Sequence, residues 1–152
     1  MAEPSIAFTY RLVEAGWSEA RLAFGDRWVE LSASYLEDAL GDLLSAVQSV
    51  RDGADHARAS WAEEPGEFRW LFDRDGGMVE VRVLWFDDQL DHLPDDAGDE
   101  RIVGRVALDE LVAAIAAGAR EVLERHGEQG YRERWIEHPF PVAQLQRLEG
   151  AG

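Results

Sequence analysis

The sequence contains no cysteine, no lysine and no asparagine. The missing cysteine excludes disulfides, thiolate metal sites and a cysteine nucleophile. The missing lysine and asparagine, both encoded by A/T-rich codons, point to a GC-rich bacterial genome. All 15 basic residues are arginines for that reason, and their number is no sign of guanidinium chemistry. Basic residues are also outnumbered: 31 acidic side chains set the net charge at -16. Such a charge repels phosphate backbones and excludes non-specific nucleic-acid binding, while it suits a basic protein partner. No apolar run approaches the ~18 residues of a membrane span, and the opening MAEPSIAFTY lacks the basic start and apolar core of a secretion signal. A cytoplasmic protein with no membrane partner is expected. The hydrolase, zinc-protease, phosphate-loop and dinucleotide fingerprints are missing as well, so no cofactor is expected. The histidines, His56, His92, His126 and His138, fall at the ends of separate predicted elements, which pairs none of them with a nucleophile.

What is present is alternation. From His56 to Asp88 the chain reads as a three-stranded antiparallel meander. Ala57, Ala59, Trp61, Phe68, Trp70, Phe72, Val79, Val81, Val83 and Trp85 recur at every second position and so share one face. Glu64-Pro65-Gly66 and Asp75-Gly76-Gly77 supply the turns. Upstream, Ile6 to Glu14, Trp17 to Phe24 and Arg27 to Ser34 read as three further strands, the last two closed by Gly25-Asp26. Ser34-Tyr35-Leu36-Glu37 matches a capping box for a helix whose apolar stripe runs from Leu36 to Val50 and which Gly53 ends. Gly41 within it marks a close approach of another backbone.

Downstream, Asp87 to Glu100 reads as an exposed acidic loop and Arg101 to Val106 as a short last strand. A second helix follows from Leu108 to about His126. Its small-residue strip, Ala113, Ala114, Ala117 and Gly118, is expected to lie under the segment Tyr131 to Leu148, whose end from Val142 forms a short helix. The expected fold is a single α+β domain. It has an antiparallel sheet of about six strands, with two main helices packed on the face bearing Trp70, Val81 and Trp85.

The opposite face is the first candidate site. It collects Arg11, Arg21, Trp28, Arg58, Arg69 and Arg82, with Glu19, Glu30 and Glu80, and Leu71, Leu84 and Phe86 between them. One reading is a solvated face of cross-strand Arg–Glu pairs; the other is a binding surface, because Arg and Trp are enriched at interface hot spots. A two-fold homodimer would bury Leu71, Leu84 and Phe86 and let Arg58, Arg69 and Arg82 meet Glu30 or Glu80 of the other copy. The acidic loop offers the oxygen ligands of a hard cation in Asp87, Asp88, Asp91, Asp95, Asp96, Asp99 and Glu100, but without EF-hand spacing, which favours a solvated loop. Asp73 and Asp75 form a carboxylate pair that the adjacent turn explains. A pocket between sheet and helices near Trp61, Glu63 and Glu64 is the alternative site, for a small molecule or a reaction.

The segments SYLEDALGDLLSAV, WAEEPGEFRW, VEVRVLWFDD and GYRERWIEHPFP together resemble a group of small acidic proteins of GC-rich bacteria. The resemblance covers most of the chain from Ser34 onward and implies no activity or catalytic residue. A looser likeness is to the immunity proteins that neutralise bacterial toxins. It rests on size, acidity and an α+β layout without a catalytic motif, and it implies a protein partner.

Overall fold

The computed structural model describes residues 5–150 except 15, 35, 36, 64, 89–92, 136 and 137. The opening alternation becomes three antiparallel strands in the order β1-β2-β3: β1 (Ile6–Glu14), β2 (Trp17–Phe24) and β3 (Arg27–Ser34). Gly25 takes a φ of 64° at the tight turn that sets Phe24 opposite Arg27, a conformation that costs glycine little. Phe8, Tyr10, Ala20, Leu22, Phe24, Leu31 and Ala33 are buried on one face, whereas Thr9, Arg11, Arg21, Trp28 and Glu30 are exposed on the other.

The central meander forms in its expected register, and the expected last strand joins it as a fourth. β4 (His56–Ala62), β5 (Glu67–Asp75), β6 (Met78–Phe86) and β7 (Asp99–Ala107) pair antiparallel in chain order. Trp61, Trp70, Phe72, Val79, Val81 and Val83 are buried on the inner face.

The strands do not make the single sheet of about six that alternation implies. They make two sheets, of three and four strands. The helix α1 (Ala39–Arg51) separates β3 from β4 in the chain, and these two strands do not pair. The inner faces meet instead. Phe8 packs edge-on against Trp70 at 5.9 Å and Tyr10 against Trp61 at 5.7 Å. Gly104 of β7 sits under Phe24, where a Cβ would come within 2.5 Å of the ring. The two inner faces thus meet in one core to which the helices also contribute, and α1 closes the β4 side through a hydrogen bond from Trp61 Nε1 to Ala39 O (2.8 Å).

Asp38, not Ser34, caps α1, its side chain accepting from the Gly41 amide at 3.2 Å. Ser34 ends β3 with its hydroxyl buried and unpaired, while Tyr35 and Leu36 lie outside the described residues. Gly41 makes room for the Asp38 carboxylate, 2.1 Å from where a Cβ would stand, rather than for another backbone. Gly53 follows the C-cap Asp52 with a φ of 119°, as expected of the residue after a helix.

The long helix α2 (Leu108–Trp135) is broken at Gly127, whose φ is 67°. Its small-residue strip is not covered by the C-terminal segment. Gly118 packs on Phe8 of β1, Ala114 is half-buried, and Ala113 and Ala117 remain exposed. The C-terminal segment instead buries Tyr131, Trp135, Phe140, Leu145 and Leu148 in the core, Ile136 lying outside the described residues. The last helix, α3 (Val142–Glu149), is fastened by Arg51, whose guanidinium donates to the carbonyls of Arg147, Leu148 and Gly150 at 3.0, 3.1 and 2.6 Å. No helix among the described residues is long and apolar enough to cross a membrane.

Candidate functional site

The arginine-rich face of the sequence is two faces, because its residues divide between the two sheets. Arg21 and Trp28 lie on the outer face of the three-stranded sheet, on β2 and β3. Arg58, Arg69, Leu71, Arg82, Leu84 and Phe86 lie on the outer face of the four-stranded one.

The first face is open. Trp28 is 51% exposed and carries the Arg21 guanidinium 4.2 Å from its ring centroid, a cation–π contact between the two side chains. Around them are Ala7, Thr9, Arg11 and Glu30, all exposed, and the half-buried Ala23 and Glu19. Arg11 reaches Glu19 at 3.7 Å. A shallow depression of about 320 Å³ runs between Thr9, Arg11, Arg21 and Glu121.

The second face is half covered by its own chain. Leu71, Leu84 and Phe86 form an apolar cluster exposed by 5% or less, not the open patch that alternation implies. Residues 93–98 fold over it, and a Cβ on Gly98 would touch the Phe86 ring at 2.6 Å. Arg69 holds this cover in place and is itself buried, against the expectation that it would face solvent. Its guanidinium donates to Glu67 Oε2 (3.1 Å), Leu93 O (2.9 Å) and Asp95 Oδ1 (2.8 Å), and lies 4.1 Å from the centroid of Phe86. Burial works against its charge, yet Glu67 and Asp95 keep the guanidinium above its ordinary pKa.

The apolar premise for a homodimer is therefore used within the chain. The ion pairs are internal too: Arg82 pairs with Asp73 (3.6 Å) and Glu80 (3.5 Å), and Arg58 with Asp95 (3.6 Å). The loop expected to be wholly exposed is thus structural in part. A 3-10 turn at Asp95–Ala97 leads into β7 at Asp99. Asp91 and His92 lie outside the described residues, and no group of three or more His, Cys, Asp or Glu among the described residues could hold a metal ion.

The alternative site near Trp61 is filled. Trp61 is fully buried against Trp70 (5.3 Å) and Tyr10, and the Glu63 carboxylate hydrogen-bonds to the Ser32 hydroxyl. Glu64 lies outside the described residues.

Next to this core is a polar cluster that the sequence does not announce. Tyr10, Ser18 and Tyr131 bury their hydroxyls without a well-formed hydrogen bond. Burial raises the pKa of both phenols, and Asp38 raises them further. Glu37, Asp38 and Asp42 crowd the start of α1. Burial raises all three carboxyls; Asp42 and Glu67 add to the effect on Glu37 and Asp38 to that on Asp42, while the Gly41 amide and His138 offset part of it on Asp38. A carboxyl with a raised folded-state pKa holds its proton better folded than unfolded. Its contribution is therefore complete below the ordinary carboxylate range and is lost as pH rises through the shifted value. Glu37→Gln should accordingly melt at a higher temperature than the wild type at about pH 8 and at the same temperature at about pH 3, below the ordinary carboxylate range. Equal shifts at both pH values would show that Glu37 is not crowded.

No family model and no curated protein matches the chain. Among solved structures, a chain of the CdiA-CT/CdiI toxin and immunity complex from Enterobacter cloacae superposes with a TM-score of 0.52. The fold is similar to one from a toxin and immunity complex. The match covers 76% of this chain and 99% of that chain at 10% identity, so what it conveys is the fold.

Alternation finds Arg69 and Glu67 on one face and so could have flagged their ion pair, since both precede Leu71 at steps of two. It could not find Asp95, which reaches them from a loop.

Proposed function

We propose that this protein is a protein-binding module of the immunity kind: it holds a basic partner, and binding rather than catalysis is its action. The observation that carries the reading is Trp28, half exposed on an open sheet face with Arg21 laid over it. Trp and Arg are the side chains most often found at interface hot spots. Two further features support the reading. The net charge of -16 attracts a basic protein and raises the rate of encounter. The region near Trp61, where the alternative reading places a small-molecule pocket, is occupied by Trp61, Trp70 and Tyr10 packed on one another. The similarity of fold to a chain from a toxin and immunity complex agrees with a partner of the toxin kind.

The test is affinity purification from the native host at low salt, followed by mass spectrometry and by growth assays with the recovered partner. A basic protein should be retained in stoichiometric amount and should be less harmful to cells when this protein is co-expressed. Trp28→Ala should weaken the complex by about 2 kcal/mol, or roughly thirtyfold in Kd. Recovery of no stoichiometric partner would sink the proposal, and a Trp28→Ala variant with unchanged affinity would move the interface elsewhere.

A further inference from the structure

The four-stranded sheet has two edges, β4 and β7, and they differ in how well they are defended. An open edge presents unpaired backbone donors and acceptors and invites another strand, so proteins blunt edges with charge, bulges or covering groups. β7 has all three: Asp99, Glu100, Arg101 and Arg105 along its length, a register shift against β6 opposite Val83 and Leu84, and the Arg27 guanidinium donating to Val103 O at 2.9 Å. β4 pairs with β5 in unbroken register from His56 to Ala62, contains no proline, and carries small side chains at Ala57, Ala59 and Ser60. Its charged residues are already answered on the outer face, His56 by Asp73 and Arg58 by Asp95.

Beside this edge runs a groove of about 600 Å³. One wall is β4, with Ala57, Ala59 and Ser60; the other is α1, with Ser45, Ala46 and Ser49. Ser45 and Ser49 are exposed and one helical turn apart, so the helix side of the groove carries small side chains. A strand added to a sheet lies about 4.8 Å from its neighbour, and small residues on both walls leave that space. The unanswered charge of the groove is negative. Asp42 lines it; the charge of His138 relieves it in part, but no salt bridge holds it among the described residues, and Glu37 and Asp38 lie next to it at the start of α1.

We propose that this groove takes an extended segment of the protein partner, which adds to β4 as a further antiparallel or parallel strand and sets a lysine or arginine against Asp42. The inference rests on the reading of the protein as a binder of a basic partner and names a place and mode of contact for it. Backbone pairing along β4 supplies the affinity, and the carboxylates at one end supply the preference for a basic sequence.

Hydrogen exchange tests the site without the natural partner. The probe is an octapeptide of alternating valine and lysine, with its valine and glutamate counterpart as control. The lysine peptide should slow exchange of the amides of residues 56–62 by about tenfold at saturation, and the glutamate peptide should not. Ser45→Trp or Ser49→Trp, exposed positions whose replacement leaves the core untouched, should fill the groove and abolish the protection. Ser45→Arg, which adds charge with less bulk, should do the same if a tryptophan variant folds poorly. Unchanged exchange in β4 with the lysine peptide, or equal protection in the filled variants, would overturn the strand site. Equal protection by both peptides would overturn its preference for basic segments. These outcomes differ from failure of the functional reading. A partner recovered from the host that leaves β4 unprotected removes the strand site alone, and no recovered partner removes the functional reading while the peptide result stands.

Discussion

Replacing Arg69 with alanine is expected to lower stability by about 3–5 kcal/mol, because it leaves a buried carboxylate without its counter-charge. Glu67 is 7% exposed, and apart from Arg69 its side chain is held by the Ser60 hydroxyl at 2.8 Å. The same substitution removes the donors that tie Leu93 and Asp95 to the outer face. Residues 93–98 should then exchange and be cleaved faster, and Leu71, Leu84 and Phe86 should become accessible to a hydrophobic dye. Replacing the whole pair, as Arg69→Met with Glu67→Gln, should recover most of the lost stability, since no uncompensated charge remains. It should not restore the cover, which needs the guanidinium. Urea denaturation with limited proteolysis reads both effects. An Arg69→Ala variant within about 1 kcal/mol of the wild type would mean that the pair is solvated and the face open.

Trp61→Ala is expected to cost about as much, 3–5 kcal/mol by removal of a large aromatic side chain from a packed interior. The ring is fully buried between Tyr10 and Trp70, and its indole nitrogen donates to Ala39 O. One side chain thus joins the four-stranded sheet to the three-stranded sheet and to the start of α1. The typical stability of a domain is about 5–15 kcal/mol, so a loss of this size puts a substantial unfolded fraction within reach at moderate temperature. Trp61→Phe should be milder, since it keeps most of the packing and loses the hydrogen bond. The denaturant midpoint measures each loss. A Trp61→Ala variant of near wild-type stability would show that the ring borders a space that can collapse or take up water, and would bring back the small-molecule alternative.

Much of the fold can be read from the sequence because alternation is a local signal. The first six strands fall where period-two runs and their turns place them, down to Gly25 between β2 and β3. Which sheet each strand joins is not local. Nothing in Phe8 or Trp70 states that their faces will meet; that depends on two apolar surfaces each needing a cover. Small differences of register decide the helix caps too: Ser34-x-x-Glu37 and Asp38 both offer an acceptor, and β3 extends far enough to claim Ser34. For the candidate site, alternation separates inner from outer residues correctly on both sheets. It fails where a loop returns over a face, as residues 93–98 do over Leu71, Leu84 and Phe86, because a turn-rich acidic stretch gives no sign of where it will lie.

The division into two meanders also bears on how the chain reaches its fold. Within each sheet every strand pairs with a sequence neighbour, and all of these connections except the one between β6 and β7 are short, so those hairpins lose little chain entropy in closing. The expensive closure is the one that brings Phe8 to Trp70 and Tyr10 to Trp61, residues far apart in the chain. Hairpins can form and melt on the microsecond scale, while docking the two aromatic faces waits on the long loop that includes α1. Docking of the two aromatic faces is therefore expected to set the folding rate, and substitutions of Phe8, Tyr10, Trp61 or Trp70 to change the lifetime of the native state.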